Sequence, residues 1–319
     1  MKGTYTIQIR SNRIVFTLEI QRNITVIRGD SATGKTTFIE MLQAYERLGK
    51  QSGVTLQSKK ECHVLTDYDW EDRLPRINNS IVFVDEGNKF VSSPAFARAI
   101  MGSDNYYVLI TRENLYQLPY SVDAVLKLKT TTSKFRTTYV KSYPHYEYLE
   151  APIDQLQRTD VILTEDSNSG HEMFSRIADR YEIQCDSADG KSNIMLKLMN
   201  SGDSRVLVVA DGAAFGAEME KVYSFHKLHP GKVTLYLPES FEWLILKSGI
   251  LGEHTPVDIL EKPSAFIDSC EFFSWEQFFT HLLRELTNGT YMQYNKNRLN
   301  EFYLQEGNIE KILEAMSTP

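Results

Sequence analysis

Cysteine is nearly absent. Three residues in 319, Cys62, Cys185 and Cys270, lie far apart with no C-x-x-C spacing, which argues against a disulfide-stapled scaffold or a zinc ribbon. Free thiols fit a reducing compartment, so a cytoplasmic location is expected. No apolar run approaches the roughly 20 residues needed to cross a bilayer, so no membrane partner is expected. The opening stretch MKGTYTIQIR alternates polar and apolar residues, unlike a signal or transit peptide. His171, His226, His229 and His281 show no H-E-x-x-H or other ligand spacing and are assigned no role.

What is present is the composition of a globular α/β chain, 42% hydrophobic and 24% charged. The length exceeds one ordinary α/β domain, so two are expected, residues 1–150 and 151–319. Charge divides unevenly between them. Residues 1–150 carry 20 Lys+Arg against 16 Asp+Glu, or +4; residues 151–319 carry 15 against 26, or −11, and the sum is −7. An acidic second half does not attract polyanions by its overall field, so any nucleic acid there needs metal ions or local help.

The densest chemistry lies in NITVIRGDSATGKTTFIEML, Asn23 to Leu42. A β-branched run breaks into Gly29, Asp30, Ser31, Ala32, Thr33, Gly34, Lys35 and Thr36, the full G-x-x-x-x-G-K-[ST] spacing, with Thr37 following. Glycines permit the turn, backbone N–H groups cradle phosphates, and the N-terminus of the next helix faces the anion. Lys35 is expected to reach the β- and γ-phosphates of ATP, and Thr36 to ligate Mg²⁺. Phe38, Ile39, Leu42 and Tyr45 recur at helical spacing behind the loop.

A second motif, SIVFVDEG (Ser80 to Gly87), is a four-residue apolar strand delivering Asp85 and Glu86 at its carboxyl end. Asp85 is expected on Mg²⁺ and Glu86 on the attacking water. Together the two stretches resemble the Walker A and Walker B motifs of P-loop ATPases of the additional-strand type, over roughly residues 1–145. In that class the strand beside the acid-bearing one ends in a polar residue that senses the γ-phosphate. Thr111 or Arg112, after Tyr106 to Ile110, takes that place. The entry hairpin, Thr4 to Arg10 and Arg13 to Ile20, resembles the start of ABC-type ATPases, but no LSGGQ-like stretch is present. Between the motifs, Val54 to Gln57 and His63 to Tyr68 read as short strands, and DYDWEDRLPR as loop. Ser93 to Met101 reads as a helix, and Ala124 to Lys129 and Phe135 to Tyr143 close the sheet. Pro144 and Pro152 bracket a linker.

The second half restarts an alternating strand and helix pattern, which implies a parallel sheet. Its strands are DVILTE, YEIQC, RVLVVAD and VTLYLPE. Glu165, Asp211 and Glu239 each close a strand at its carboxyl end, a placement able to hold Mg²⁺ against a phosphodiester. The order of VILTEDSNSGHEMFSRIA, SADGKSNIMLKL, VLVVADGAAFGAEM and LYLPESFEWLIL resembles a divergent Toprim domain, over roughly residues 158–250. Toprim domains occur in nucleases of the overcoming-lysogenization-defect family, which join an ATPase to a Toprim domain. By position Glu165 matches the first-strand glutamate, Gly190 the small turn residue and Asp211 the first aspartate of Asp-x-Asp. The second aspartate falls on Ala213, and the usual glycine after the glutamate is Asp166.

The fold class expected is therefore α/β: a P-loop sheet, then a Toprim- or Rossmann-like domain with a helical end. Ser274 to Gln277 reads as a capping box before an apolar face of Trp275, Phe278, Phe279, Leu282, Leu283 and Leu286, assigned to core. The segment Tyr291 to Arg298, with Lys296, could touch a nucleic acid. The expected function is an ATP hydrolase whose cycle controls nucleic-acid binding or cleavage, with phage defence or DNA repair implied by the resemblance alone. The alternative is an ATP-gated assembly module that docks a protein partner or forms a homo-oligomer. Phosphotransfer to a small molecule ranks third, because Glu86 suits activation of water.

Overall fold

Alternating and β-branched runs lay down the strands of the first half: β1 (Tyr5–Arg10), β2 (Val15–Ile20), β3 (Ile24–Arg28), β4 (Thr55–Gln57), β5 (Cys62–Leu65), β6 (Ile81–Val84), β7 (Tyr106–Ile110), β8 (Val125–Thr130) and β9 (Arg136–Lys141). The computed structural model describes residues 1–29, 34–130, 136–143 and 146–318. Those residues form two compact units, Met1–Pro144 with Lys262–Ser274, and His145–Glu261 with Trp275–Pro319. The stretch Lys262–Ser274, which lies in the second half of the sequence, thus returns to the first unit. There the Gly3 N–H donates to Ser264 O at 2.7 Å, and the Asn23 side chain donates to Phe273 O.

The first unit is built on one mixed sheet of nine strands in the order β4-β1-β2-β9-β8-β3-β7-β6-β5. The hairpin β1–β2 forms as its alternation requires, with Tyr5 opposite Ile20 and Arg10 opposite Val15. Five neighbours, β8-β3-β7-β6-β5, are mutually parallel. Numbered one to five along the chain, they run 5-1-4-3-2. The central members β6 and β7 are buried at every position, which is why they read as continuous apolar runs rather than as alternation. The helix Lys35–Leu48 covers one face. Its Phe38 ring meets Phe16, Phe83 and Tyr139 edge-on, with centroids 5.4–5.6 Å apart.

The structure corrects one expectation here. DYDWEDRLPR is not loop: Trp70–Arg73 is a helical turn and Leu74–Arg76 continues it as a 3₁₀ turn. Long-range contacts override the polar composition. Trp70 stacks on Phe90 at 5.0 Å, and Arg73 bridges Asp69 at 2.9 Å and Glu46 at 2.6 Å.

The second unit has four parallel strands, β10 (Val161–Thr164), β11 (Gln184–Ser187), β12 (Val206–Val209) and β13 (Val233–Tyr236), in the order β11-β10-β12-β13. β11 starts three residues later than YEIQC implies, because Glu182 adopts φ 56° and turns the chain out of the preceding helix, Ser169–Arg180. The strand order reverses between β10 and β12, where an open α/β sheet leaves a crevice at its carboxyl edge. The helix Trp275–Thr287 packs on Phe241–Lys247 and buries Trp275, Phe278, Phe279 and Leu283 as core. Among the described residues, no helix is long and apolar enough to cross a membrane.

Candidate functional site

In the first unit, β3 runs into Gly29, and Gly34 takes a left-handed φ of 91° at the start of the helix Lys35–Leu48. Asp30, Ser31, Ala32 and Thr33 lie outside the described residues. Lys35 is buried, and its ammonium donates to the Gly29 carbonyl across the loop. Thr36 and Thr37 are exposed on the first turn. Among the described residues, no side chain caps this helix and no acid occupies its first turn.

The register of the sheet brings the second motif to the same edge. Val84 pairs with Leu109 and Ile27 with Ile110, so Asp85 is level with Ile27, two strand spacings or about 10 Å away. Partial burial raises the Asp85 carboxyl above its ordinary range, with Glu86 and Glu40 adding to the rise and the Lys35 ammonium opposing it. Asp85 also accepts the Glu86 N–H at 2.8 Å. Glu86 is exposed and joined to Arg112 Nε at 2.6 Å. Thr111 Oγ1 accepts the Glu113 N–H at 2.9 Å and so tightens the turn after β7. Lys35, Asp85, Glu86 and Arg112 therefore share one sheet edge.

In the second unit, Glu165 follows β10 and Asp211 follows β12, one on each side of the point where the strand order reverses. The Asp211 N–H donates to Glu165 Oε2 at 3.1 Å, and Asp211 Oδ1 accepts the Phe241 N–H at 3.0 Å. The second oxygen of each carboxylate has no hydrogen-bond partner among the described residues. Both residues line a cavity of about 40 Å³, room for about one water or ion. Burial pushes Glu165 up to about 7, with the Asp211 N–H and Lys191 opposing and Glu276 and Asp166 adding to it. Asp211 is raised as well, first by burial and then by Glu276, Glu165 and Glu242. Gly190, at the small-turn position, donates its N–H to Glu165 O at 2.7 Å.

Glu239 stands apart from this pair. Its carbonyl accepts the Ala213 N–H at 3.1 Å, and it is not among the residues lining the cavity. Glu242, one turn further on, lines the cavity instead, and it is 1% exposed. Its Oε1 accepts from Tyr294 Oη at 2.8 Å, while Lys296 Nζ sits 2.8 Å from Glu276 Oε1 and 4.0 Å from Glu242 Oε1. Lys296, in the segment read as able to touch a nucleic acid, is thus turned toward the acids. His171 also lines the cavity, its Nδ1 2.8 Å from Thr164 Oγ1. Sequence reasoning gave Glu242 no role and placed neither Glu276, read as part of a capping box, nor Lys296 beside these acids; only the acid in the first turn of the helix after β13 offered a signal.

A further acidic group, Asp104, Asp268 and Cys270, brings its ligand atoms within 4.8 Å in the first unit. The Met1 ammonium lies 2.8 Å from Asp268 Oδ1 and also pairs with Asp104, so a counter-charge is already in place. No family model matches the chain, and no curated protein matches it.

Proposed function

We propose that the first unit is a P-loop ATPase of the additional-strand type that binds ATP with Mg²⁺, and that its cycle controls a Toprim-like second unit that binds or cleaves nucleic acid. One observation carries the first part: β7 is inserted between β3 and β6, and Lys35 and Asp85 share the edge beyond it. The uncapped helix and the buried Lys35 fit a polyphosphate. Thr36 and Asp85 would hold the magnesium, which supplies charge neutralisation at the phosphates when bound. Glu86 would accept a proton from water or orient it, and Arg112 stands beside Glu86 where negative charge develops.

The paired free oxygens of Glu165 and Asp211 at a one-ion cavity support a divalent site in the second unit. Ala213 removes the third acid expected there, and Lys296 supplies part of the positive charge, which favours one ion over two. Those two features equally favour the second reading, an ATP-gated binding or assembly module without nuclease activity.

Calorimetry decides between them. Lys35→Ala should lose ATP binding, and undiminished binding by that variant removes the ATPase reading. Wild type should take up Mg²⁺ or Mn²⁺ with a component lost in Glu165→Gln, and should nick plasmid DNA. Absence of both leaves the assembly module, for which size-exclusion chromatography should register oligomerisation driven by ATP.

A further inference from the structure

After the helix Trp275–Thr287 the chain turns back through Tyr291 to Asn300 and encloses, with Arg284, an open groove of about 650 Å³ in the second unit. The floor is Tyr294 and Leu299, both buried. The walls are donors: the guanidinium groups of Arg284 and Arg298 and the side-chain amides of Gln293 and Asn295. Neither arginine has an ion-pair or hydrogen-bond partner among the described residues, although acids outnumber bases in this half of the sequence. Glu301 is the one acid on the lining. Asn300, also on the lining, donates to Tyr291 O at 3.0 Å and so keeps the main chain of Tyr291 next to a lining residue. The Tyr291 ring is 75% exposed and braced edge-on against Phe302 at 5.2 Å.

We propose that this groove binds a single strand of nucleic acid, with Arg284 and Arg298 on successive phosphates and Tyr291 stacked on a base. Two unpaired guanidiniums with an open aromatic face beside them form the combination that grips a single strand without reading its sequence. At about 650 Å³ the groove has room for far more than one phosphate group, and a duplex offers no unstacked base to Tyr291. Tyr294 connects the groove to the acids of the cavity, because it lines the groove and its hydroxyl donates to Glu242. The proposal deepens the nucleic-acid part of the function proposed above and rests on it.

The test is fluorescence anisotropy of the full chain with a labelled oligothymidylate at low salt, in EDTA and without ATP. Arg284→Ala and Arg298→Ala should each weaken binding roughly tenfold, and each should reduce the slope of log affinity on log salt by about 0.7. Tyr291→Ala should weaken binding without changing that slope. Arg176→Ala, the same charge change on the exposed face of the helix Ser169–Arg180, should leave binding intact. A duplex of equal length should bind more weakly, and inorganic phosphate should compete poorly. Equal losses in all three arginine variants would mean bulk charge and overturn the groove, as would tighter duplex binding or efficient competition by phosphate. Wild-type binding untouched by the groove variants overturns the groove and leaves the nucleic-acid reading standing. No binding at all by wild type overturns both, while binding of a fluorescent ATP analogue by the same preparation keeps the ATPase reading.

Discussion

Arg112 Nε lies 2.6 Å from Glu86 Oε1, joining the ends of two neighbouring parallel strands, β7 and β6. Both side chains are more than a third exposed, so the pair contributes at most about 1 kcal/mol to stability. On the ATPase reading proposed above, its importance would be in the reaction. Glu86→Gln should lower kcat for ATP hydrolysis by about 10²–10⁴ while ATP affinity changes only a few-fold. Arg112→Ala should also lower kcat, with melting temperature almost unchanged. Single-turnover phosphate release checks both, and hydrolysis at wild-type rate by Glu86→Gln would remove that residue from the mechanism.

Burial of Glu165 should make the stability of the second unit depend on pH. Its folded-state pKa, about 7, lies above the ordinary 4.5, so between those values the folded chain holds more protons than the unfolded one. Stability is therefore greatest below about 4.5 as far as this group is concerned, and falls as pH rises toward 7. The change is on the order of 3 kcal/mol as an upper bound. Urea titrations in EDTA should register the decline, and Glu165→Gln should flatten it. A profile that Glu165→Gln leaves unchanged would assign the decline to other groups.

Lys296 balances acids that are otherwise poorly compensated. Glu242 is 1% exposed, with Lys296 at 4.0 Å and the Tyr294 hydroxyl at 2.8 Å. Lys296→Met should destabilise the chain by about 3–5 kcal/mol by leaving buried charge unpaired. Adding Glu242→Gln should recover part of the loss. A double variant no better than Lys296→Met would show that the coupling runs through Glu276 instead.

Gly212 follows Asp211 in a space too narrow for a side chain. A Cβ there would stand 2.5 Å from Leu237 O and 2.8 Å from Pro238 O, both main-chain atoms. The Gly212 N–H also donates to Pro238 O at 2.6 Å, which ties β12 to the end of β13. Gly212→Ala should cost about 1–3 kcal/mol and displace Asp211, lowering affinity at the metal site proposed above. Denaturation together with metal calorimetry reads both effects. Wild-type values in both would contradict the close approach.

Legibility from sequence followed the range of the interactions involved. Buried β-branched runs announced β3, β6, β7, β10, β12 and β13, and the loop glycines with Lys35 announced the helix behind them, because those signals are local. Glu165 and Asp211 were legible as strand ends, though not their hydrogen bond, which depends on register. The turn at Trp70 was missed because Phe90 and Glu46, far along the chain, hold it. Lys296 looked like a surface cation since nothing near it in sequence reveals that Glu276 and Glu242 lie opposite. Asp30 to Thr33 stand outside the described residues, so the loop is legible in sequence more fully than in structure.

Because Lys262–Ser274 belongs to the first unit, the polypeptide passes from one unit to the other three times. Cutting the gene once near position 150 would therefore yield no self-sufficient halves: the amino-terminal fragment would lack the carbonyl of Ser264 that receives the Gly3 amide. Separate expression of each unit calls for a spliced gene, with 262–274 grafted onto the first fragment and the gap in the second bridged by a short flexible insert.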